Sequence, residues 1–212
     1  MSNLAVDKRL HTRDTILEAG KDLFSRKGYH NTQVMDIVRA VGMSAGTFYN
    51  HFKDKRELFE QITQESFDDL RVKIKQQRQP LNIWDRDDRA LKLTKTFDAY
   101  FDYLEAHKQQ ILIMFRASFG IDDELDYNIW NYYRGITQDL VEDIQQWIDI
   151  GIIKDIKPYP LAHAIVGMAM HLGHSYIVEN EFSREDAIDT LIRLCMGVFD
   201  TSINKDVLKG NV

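Results

Sequence analysis

Val34, Ile37, Val38 and Val41 recur at i, i+3, i+4 and i+7, one apolar stripe of a helix, and the stripe stops at Gly42. Thr32, just ahead of it, is expected to cap that helix, its hydroxyl taking a free backbone N–H. Gly42 accepts the left-handed backbone that ends one helix and opens a turn. Ser44 then caps a second, short helix in which Phe48 and Phe52, at i and i+4, face inward. That stripe is too narrow to bury the whole element, so Ala45, Gly46, Thr47, Tyr49, Asn50 and His51 must face out. Lys53 and Lys55 follow as point charges suited to phosphate, and Asp54 with Glu57 forms a capping pair that starts the next helix. Two helical patterns across a glycine turn, the second presenting small and then hydrogen-bonding residues, are the organisation of a helix-turn-helix whose second helix enters a DNA major groove.

The rest of the chain repeats the helical period. Ile16, Leu17, Gly20, Leu23 and Phe24 give an opening helix its inward face, closed by Lys27 and Gly28. Leu58, Phe59, Ile62, Phe67 and Leu70 extend the helix that starts at Asp54, and its end is expected near Pro80, where the preceding residue is biased out of helical geometry. Further helices are predicted over 87–106, 108–119, 123–150, 160–179 and 184–203, with no strand alternation between them. The predicted fold is all-α: an N-terminal three-helix helix-turn-helix domain, residues 1–56, joined by a long helix to a C-terminal helical domain, residues 57–212. In the last two helices Ala162, Ala169 and Gly173 lie close to one face, and Ile188, Leu191, Ile192, Cys195 and Val198 stripe the other. Two such helices from each of two subunits would form a four-helix interface, making the chain a homodimer.

From about His11 to Ile62 the chain resembles the DNA-binding domain of the TetR family of bacterial transcriptional repressors. The match runs through Ile16-Leu17-Glu18-Ala19 with Leu23-Phe24, Lys27-Gly28-Tyr29, Thr32, Asp36-Ile37-Val38, Val41-Gly42-Met43-Ser44, Gly46-Thr47-Phe48-Tyr49, His51-Phe52-Lys53 and Lys55-Arg56-Glu57-Leu58-Phe59. The resemblance implies 33–41 as supporting helix and 45–51 as recognition helix. It implies phosphate contacts from Thr32, Tyr49, His51 and Lys55, with Ala45, Gly46, Thr47 and Asn50 toward bases. Gln33, Ser44 and Lys53 complete the expected DNA-binding set. It also implies a palindromic double-stranded operator, a homodimer through the last two helices, and a small-molecule inducer held in the C-terminal domain.

Charge agrees with that division. The chain of 212 residues carries a net charge of −6, but residues 1–60 hold 10 Lys/Arg against 8 Asp/Glu and residues 61–212 hold 17 against 25. The N-terminal part can sit on phosphate while the acidic remainder stays off it. With 44% apolar residues the chain can bury a core. No apolar leader opens it and no stretch is expected to span a membrane, so the cytoplasm is the expected compartment. The single cysteine, Cys195, lies among apolar neighbours and is expected to be a buried, unreactive thiol.

Candidate chemistry elsewhere is sparse. Phe97, Phe101, Met114, Phe115, Trp130, Tyr133 and Met168, with Ser118, Arg134 and His171 as polar anchors, could enclose a mostly apolar or aromatic inducer, such as a fatty acyl derivative or a hydrophobic drug. His163, His171 and His174 share one predicted helix, but no Cys or carboxylate completes a metal set, and no cofactor is expected. Gly42-Met43-Ser44-Ala45-Gly46 matches Gly-x-Ser-x-Gly, yet that nucleophile elbow needs a preceding strand and a surrounding sheet. Here the preceding period is helical, so Ser44 reads as a cap and no enzyme is expected.

Overall fold

A computed structural model describes residues 3–77, 85–117 and 123–200, with the side chains of 3–7, 114–117 and 200 outside the description. Among the described residues the secondary structure is helical throughout: α1 (Asn3–Lys27), α2 (Val34–Ala40), α3 (Ala45–Tyr49), α4 (Lys55–Gln76), α5 (Arg86–Ala106), α6 (Lys108–Ala117), α7 (Asp123–Asp149), α8 (Pro158–His174) and α9 (Arg184–Asp200). The predicted ends near Pro80, Phe119 and Ile203 lie outside the described residues. The chain forms two compact units, one from Met1–Asp69 with Ala106–Tyr132 and the other from Leu70–Glu105 with Tyr133–Val212.

In the first unit the stripes read from the sequence meet. Ile16, Leu17, Leu23 and Phe24 of α1, Ile37 and Val38 of α2, Phe48 of α3, and Leu58, Phe59 and Ile62 of α4 are all buried. Phe24 meets Phe59 edge-on at 5.5 Å, and Tyr29 closes on Phe59 at 4.9 Å, near the separations aromatic pairs favour. Gly20 lets α1 and α4 approach: a Cβ there would sit 2.9 Å from Leu58 Cδ2. α6 packs along α1 in the same unit.

Two expectations about helix starts are corrected. The N-cap of α2 is Gln33, whose N–H donates to the Asp36 carboxylate at 3.1 Å, and not Thr32. Thr32 is wholly buried and its hydroxyl donates to the Gly28 carbonyl at 2.8 Å, so it is already committed before α2 begins. α8 begins at Pro158 rather than Pro160, since the first turn of a helix has no internal acceptor for its N–H groups and tolerates proline.

The second unit has its own core, in which Val141 and Ile144 of α7 pack with Leu161 and Ala162 of α8, flanked by Trp147, Ile165 and Val198. Cys195 is buried there, and burial pushes its thiol up to about 11, as an inert core residue requires. α8 continues as a π-helical turn, Ser175–Glu179, which ends at Asn180 in the left-handed conformation. Within Pro158–Glu179 an 18-residue window reaches a mean hydropathy of 1.2, so this helix is long and apolar enough to cross a membrane by length and composition, contrary to the sequence-based expectation of no such stretch. They also carry His163 and His171, exposed side chains that a hydrocarbon layer would have to desolvate.

Asp139 of α7 ties down the end of α4, accepting from Arg71 Nη2 at 2.7 Å and lying 3.0 Å from Lys75 Nζ. Burial works to raise its pKa, but hydrogen bonds and charge from Arg71 and Lys75 outweigh that and hold the carboxyl below the ordinary aspartate value. A carboxyl depressed in the folded state stabilises above its unfolded pKa, and that contribution disappears as pH falls through the lower folded value. Both cations are more than a third exposed, so solvent screens the gain. Asp139→Asn should therefore melt lower than the parent at pH 7, with the gap closing below about pH 4. A gap constant from pH 7 to pH 2.5 in thermal melts would contradict this assignment.

Candidate nucleic-acid interface

The turn between α2 and α3 is built by local rules. Gly42 has φ +66°, and the Met43 N–H returns to the Val38 carbonyl at 2.8 Å, closing the end of α2. Ser44 is extended and its Oγ accepts from the Thr47 N–H at 3.1 Å while lying 2.9 Å from the Thr47 hydroxyl, so the expected cap is present. Phe48 and Phe52 are buried with ring centroids 5.6 Å apart, anchoring α3 from beneath. The Glu57 N–H donates to Asp54 Oδ1 at 2.8 Å, and the Glu57 carboxylate reaches back to the N–H of Lys53, one residue before the position a standard capping box uses.

What remains faces out. Ser44, Gly46, Asn50 and Lys53 are exposed, as is Gln33 at the start of α2, while Ala45, Thr47, His51 and Lys55 are half-buried. Tyr49 is 57% exposed, its ring edge-on to Phe48 but not in the core. A Cβ on Gly46 would touch Ser44 Oγ alone, at 3.7 Å, an ordinary contact. The fold therefore does not demand glycine there, and a helical glycine costs roughly 0.5–1 kcal/mol against alanine.

Two residues of the expected set do something the sequence does not indicate. Thr32, wholly buried, has no surface to offer a phosphate. Lys55 points its ammonium inward, donating to the carbonyls of Tyr29 at 2.7 Å and Thr32 at 2.8 Å and sitting 4.1 Å from the Tyr29 ring centroid. Burial lowers its pKa. One of its three N–H donors stays uncommitted. His51 is held below the ordinary histidine pKa, by burial first and then by the charges of Arg9 and Arg13, so it is neutral at pH 7. Arg13 spans this corner, its guanidinium 5.0 Å from the Phe52 ring centroid and bonded to Gln61. Sequence periodicity gives no hint of Arg9 or Arg13, because their proximity to His51 is tertiary.

The expected ligand-binding residues divide. Phe97, Phe101 and Tyr133 are buried and Met168 is half-buried, all in the second unit. Arg134 and His171 are exposed, and Trp130 is 55% exposed. Met114 and Phe115 have side chains outside the described set, and Ser118 lies outside it altogether. The second unit carries a cleft of about 400 Å³ lined by Thr94, Asp98, Arg184, Glu185, Ile188 and Ile192 among others, none of them in the expected set.

A capped, exposed short helix after a glycine turn, in a chain whose described residues form helices throughout, defines a helix-turn-helix protein. Residues 16–62 match the profile of the bacterial regulatory proteins, tetR family. The chain is 24% identical over 145 residues to the biofilm operon icaADBC HTH-type negative transcriptional regulator IcaR of Staphylococcus aureus (strain Newman), covering 68% of this chain and 74% of the relative. Two solved structures share the fold at 20% identity. One is a TetR-family transcriptional regulator from Syntrophomonas wolfei, with a TM-score of 0.77 over 92% of this chain and 97% of that one. The other is the fatty acid degradation regulator FadR from Bacillus halodurans, with a TM-score of 0.76 over 88% and 95%. Residues 16–62 are thus of the tetR-family kind, and the fold of the chain is the one its TetR-family structural neighbours share.

Proposed function

We propose that this chain is a ligand-responsive transcriptional repressor in the cytoplasm, binding a palindromic DNA operator as a homodimer and released by a mostly apolar or aromatic small molecule. Residues 1–56 read DNA, and residues 57–212 hold the ligand and dimerise through α8 and α9. The observation that carries the reading is Gly46: an exposed helical glycine that the fold does not need, followed by Thr47 and Asn50, leaves the start of α3 bare for close approach to base edges. IcaR, a negative regulator, supports repression, and FadR, a regulator of fatty acid degradation, supports a fatty acyl ligand. The open surface around Gly167 and Gly197, where an added Cβ meets nothing within 4 Å, supports close helix packing against a second copy. A ligand that fits only the arrangement with the two recognition helices wrongly spaced would draw its binding energy from the DNA-competent state.

Selection of bound fragments from the source genome, followed by anisotropy titration, tests the reading. The parent should prefer one palindromic sequence over random duplex and lose affinity steeply with salt. Gly46→Ala should raise thermal stability slightly, by about 0.5–1 kcal/mol, while weakening operator binding. Equal affinity for every duplex, or a Gly46→Ala protein that binds the operator as well as the parent, contradicts it.

A further inference from the structure

The ten Lys and Arg residues within 1–60 fall into two groups. Lys21, Arg26, Lys27 and Arg56 each have a carboxylate within ion-pair distance. Lys8, Arg9, Arg13, Arg39, Lys53 and Lys55 have none among the described residues. The unneutralised set is not scattered. Lys53 and Lys55 follow α3, and Arg13 of α1 lies against Phe52, which stands just ahead of them. Arg9 is one helical turn before Arg13, on the same face of α1, and Lys8 is beside it; both are exposed. Exposed, and with no described carboxylate within ion-pair distance, Lys8 and Arg9 contribute nothing visible to the fold, yet Arg9 stands near enough to the exposed helix for its charge to act on His51.

We propose that Lys8 and Arg9, which precede the segment matched by the family profile, form a second phosphate-binding element that grips the duplex backbone outside the groove read by α3. The assignment rests on the DNA-binding reading above. α1 then serves as a core helix from Ile16 onward and as a DNA contact one to two turns earlier, with the Arg13–Phe52 stack fixing the angle between the two tasks. Burial first, and then the charges of Arg9 and Arg13, lower the His51 pKa, so the corner contacts phosphate through permanent charges rather than a titrating one.

The test uses the full chain and a random-sequence 30-base-pair duplex, since phosphate contacts do not depend on sequence. The slope of log K against log salt should shrink in the Lys8→Ala/Arg9→Ala protein by about 0.9 for each phosphate that a protomer no longer neutralises. Arg26→Ala, which removes a cation paired with Asp22, should leave the slope unchanged. Arg9→Ala should in addition let His51 titrate at a higher pH by NMR. If the parent binds and the double variant keeps the parental slope, or if His51 titrates as before, the inference falls while the DNA-binding reading stands. If the parent binds no duplex even at low salt, both fall together.

Discussion

Phe48→Ala should destabilise the chain by about 3–5 kcal/mol, the usual range for emptying a fully buried aromatic site. That is a third or more of the stability of an ordinary domain. The effect is concentrated because α3 has only five residues and Phe48 is its one buried side chain. A helix this short has no independent stability in water. Its shape is borrowed from the Ser44 cap and from the Phe48 ring seated 5.6 Å from Phe52. Tyr49→Ala supplies the contrast one residue away: with the ring 57% exposed, stability should move by no more than about 0.5 kcal/mol, while affinity for every duplex should drop. Urea unfolding separates the two. A Phe48→Ala protein within about 0.5 kcal/mol of the parent would mean that the recognition helix is held by something other than this ring.

Gly173→Ala should cost about 1–3 kcal/mol, and the cost should depend on Tyr100. An added Cβ would lie 2.4 Å from the Tyr100 hydroxyl oxygen and 2.8 Å from Leu104 Cδ1. The hydroxyl cannot simply swing aside, since it is buried and donates to the Ala169 carbonyl at 3.1 Å. Burial raises the phenol pKa well above its usual value, so the donor proton stays in place. Tyr100→Phe alone should cost about 0.5–1.5 kcal/mol for the missing hydrogen bond. In the Tyr100→Phe background, Gly173→Ala should then cost less than it does in the parent, giving a coupling of about 0.5–3 kcal/mol. The Leu104 contact remains, so relief is partial. Penalties that simply add in thermal or urea unfolding would show that the hydroxyl is not what the glycine makes room for.

The helices are legible in the sequence because each depends on a period or a cap within a few residues. Gly42, Ser44 and the Phe48/Phe52 pair need no knowledge of the rest of the chain, and the π-helical end of α8 escapes because an apolar period does not register one extra residue in a turn. Thr32 misleads for a related reason. A threonine before an apolar stripe is a good cap, but the Gly28 carbonyl, brought alongside by the turn after α1, takes its hydroxyl first. Lys55 reads as a free charge because its partners, Tyr29 and Thr32, come from a loop more than twenty residues away. Trp130 groups with pocket aromatics on composition, and composition cannot tell an inward ring from one that is 55% exposed. Arg9 and Arg13 leave no signal because a solvated arginine and one stationed beside a binding surface look alike in one dimension.

Lys55 and Lys53 carry the same charge with different freedom. Lys53 can sweep a wide arc and attract any anion that drifts near, but it specifies no position. Lys55, tethered to two carbonyl oxygens and a ring, presents its last hydrogen in a single direction, like a surveyor's fixed mark. On the proposed duplex, a repeating backbone of identical anions, the swinging lysine would supply attraction and the tethered one would set which step along the strand the protein stops at.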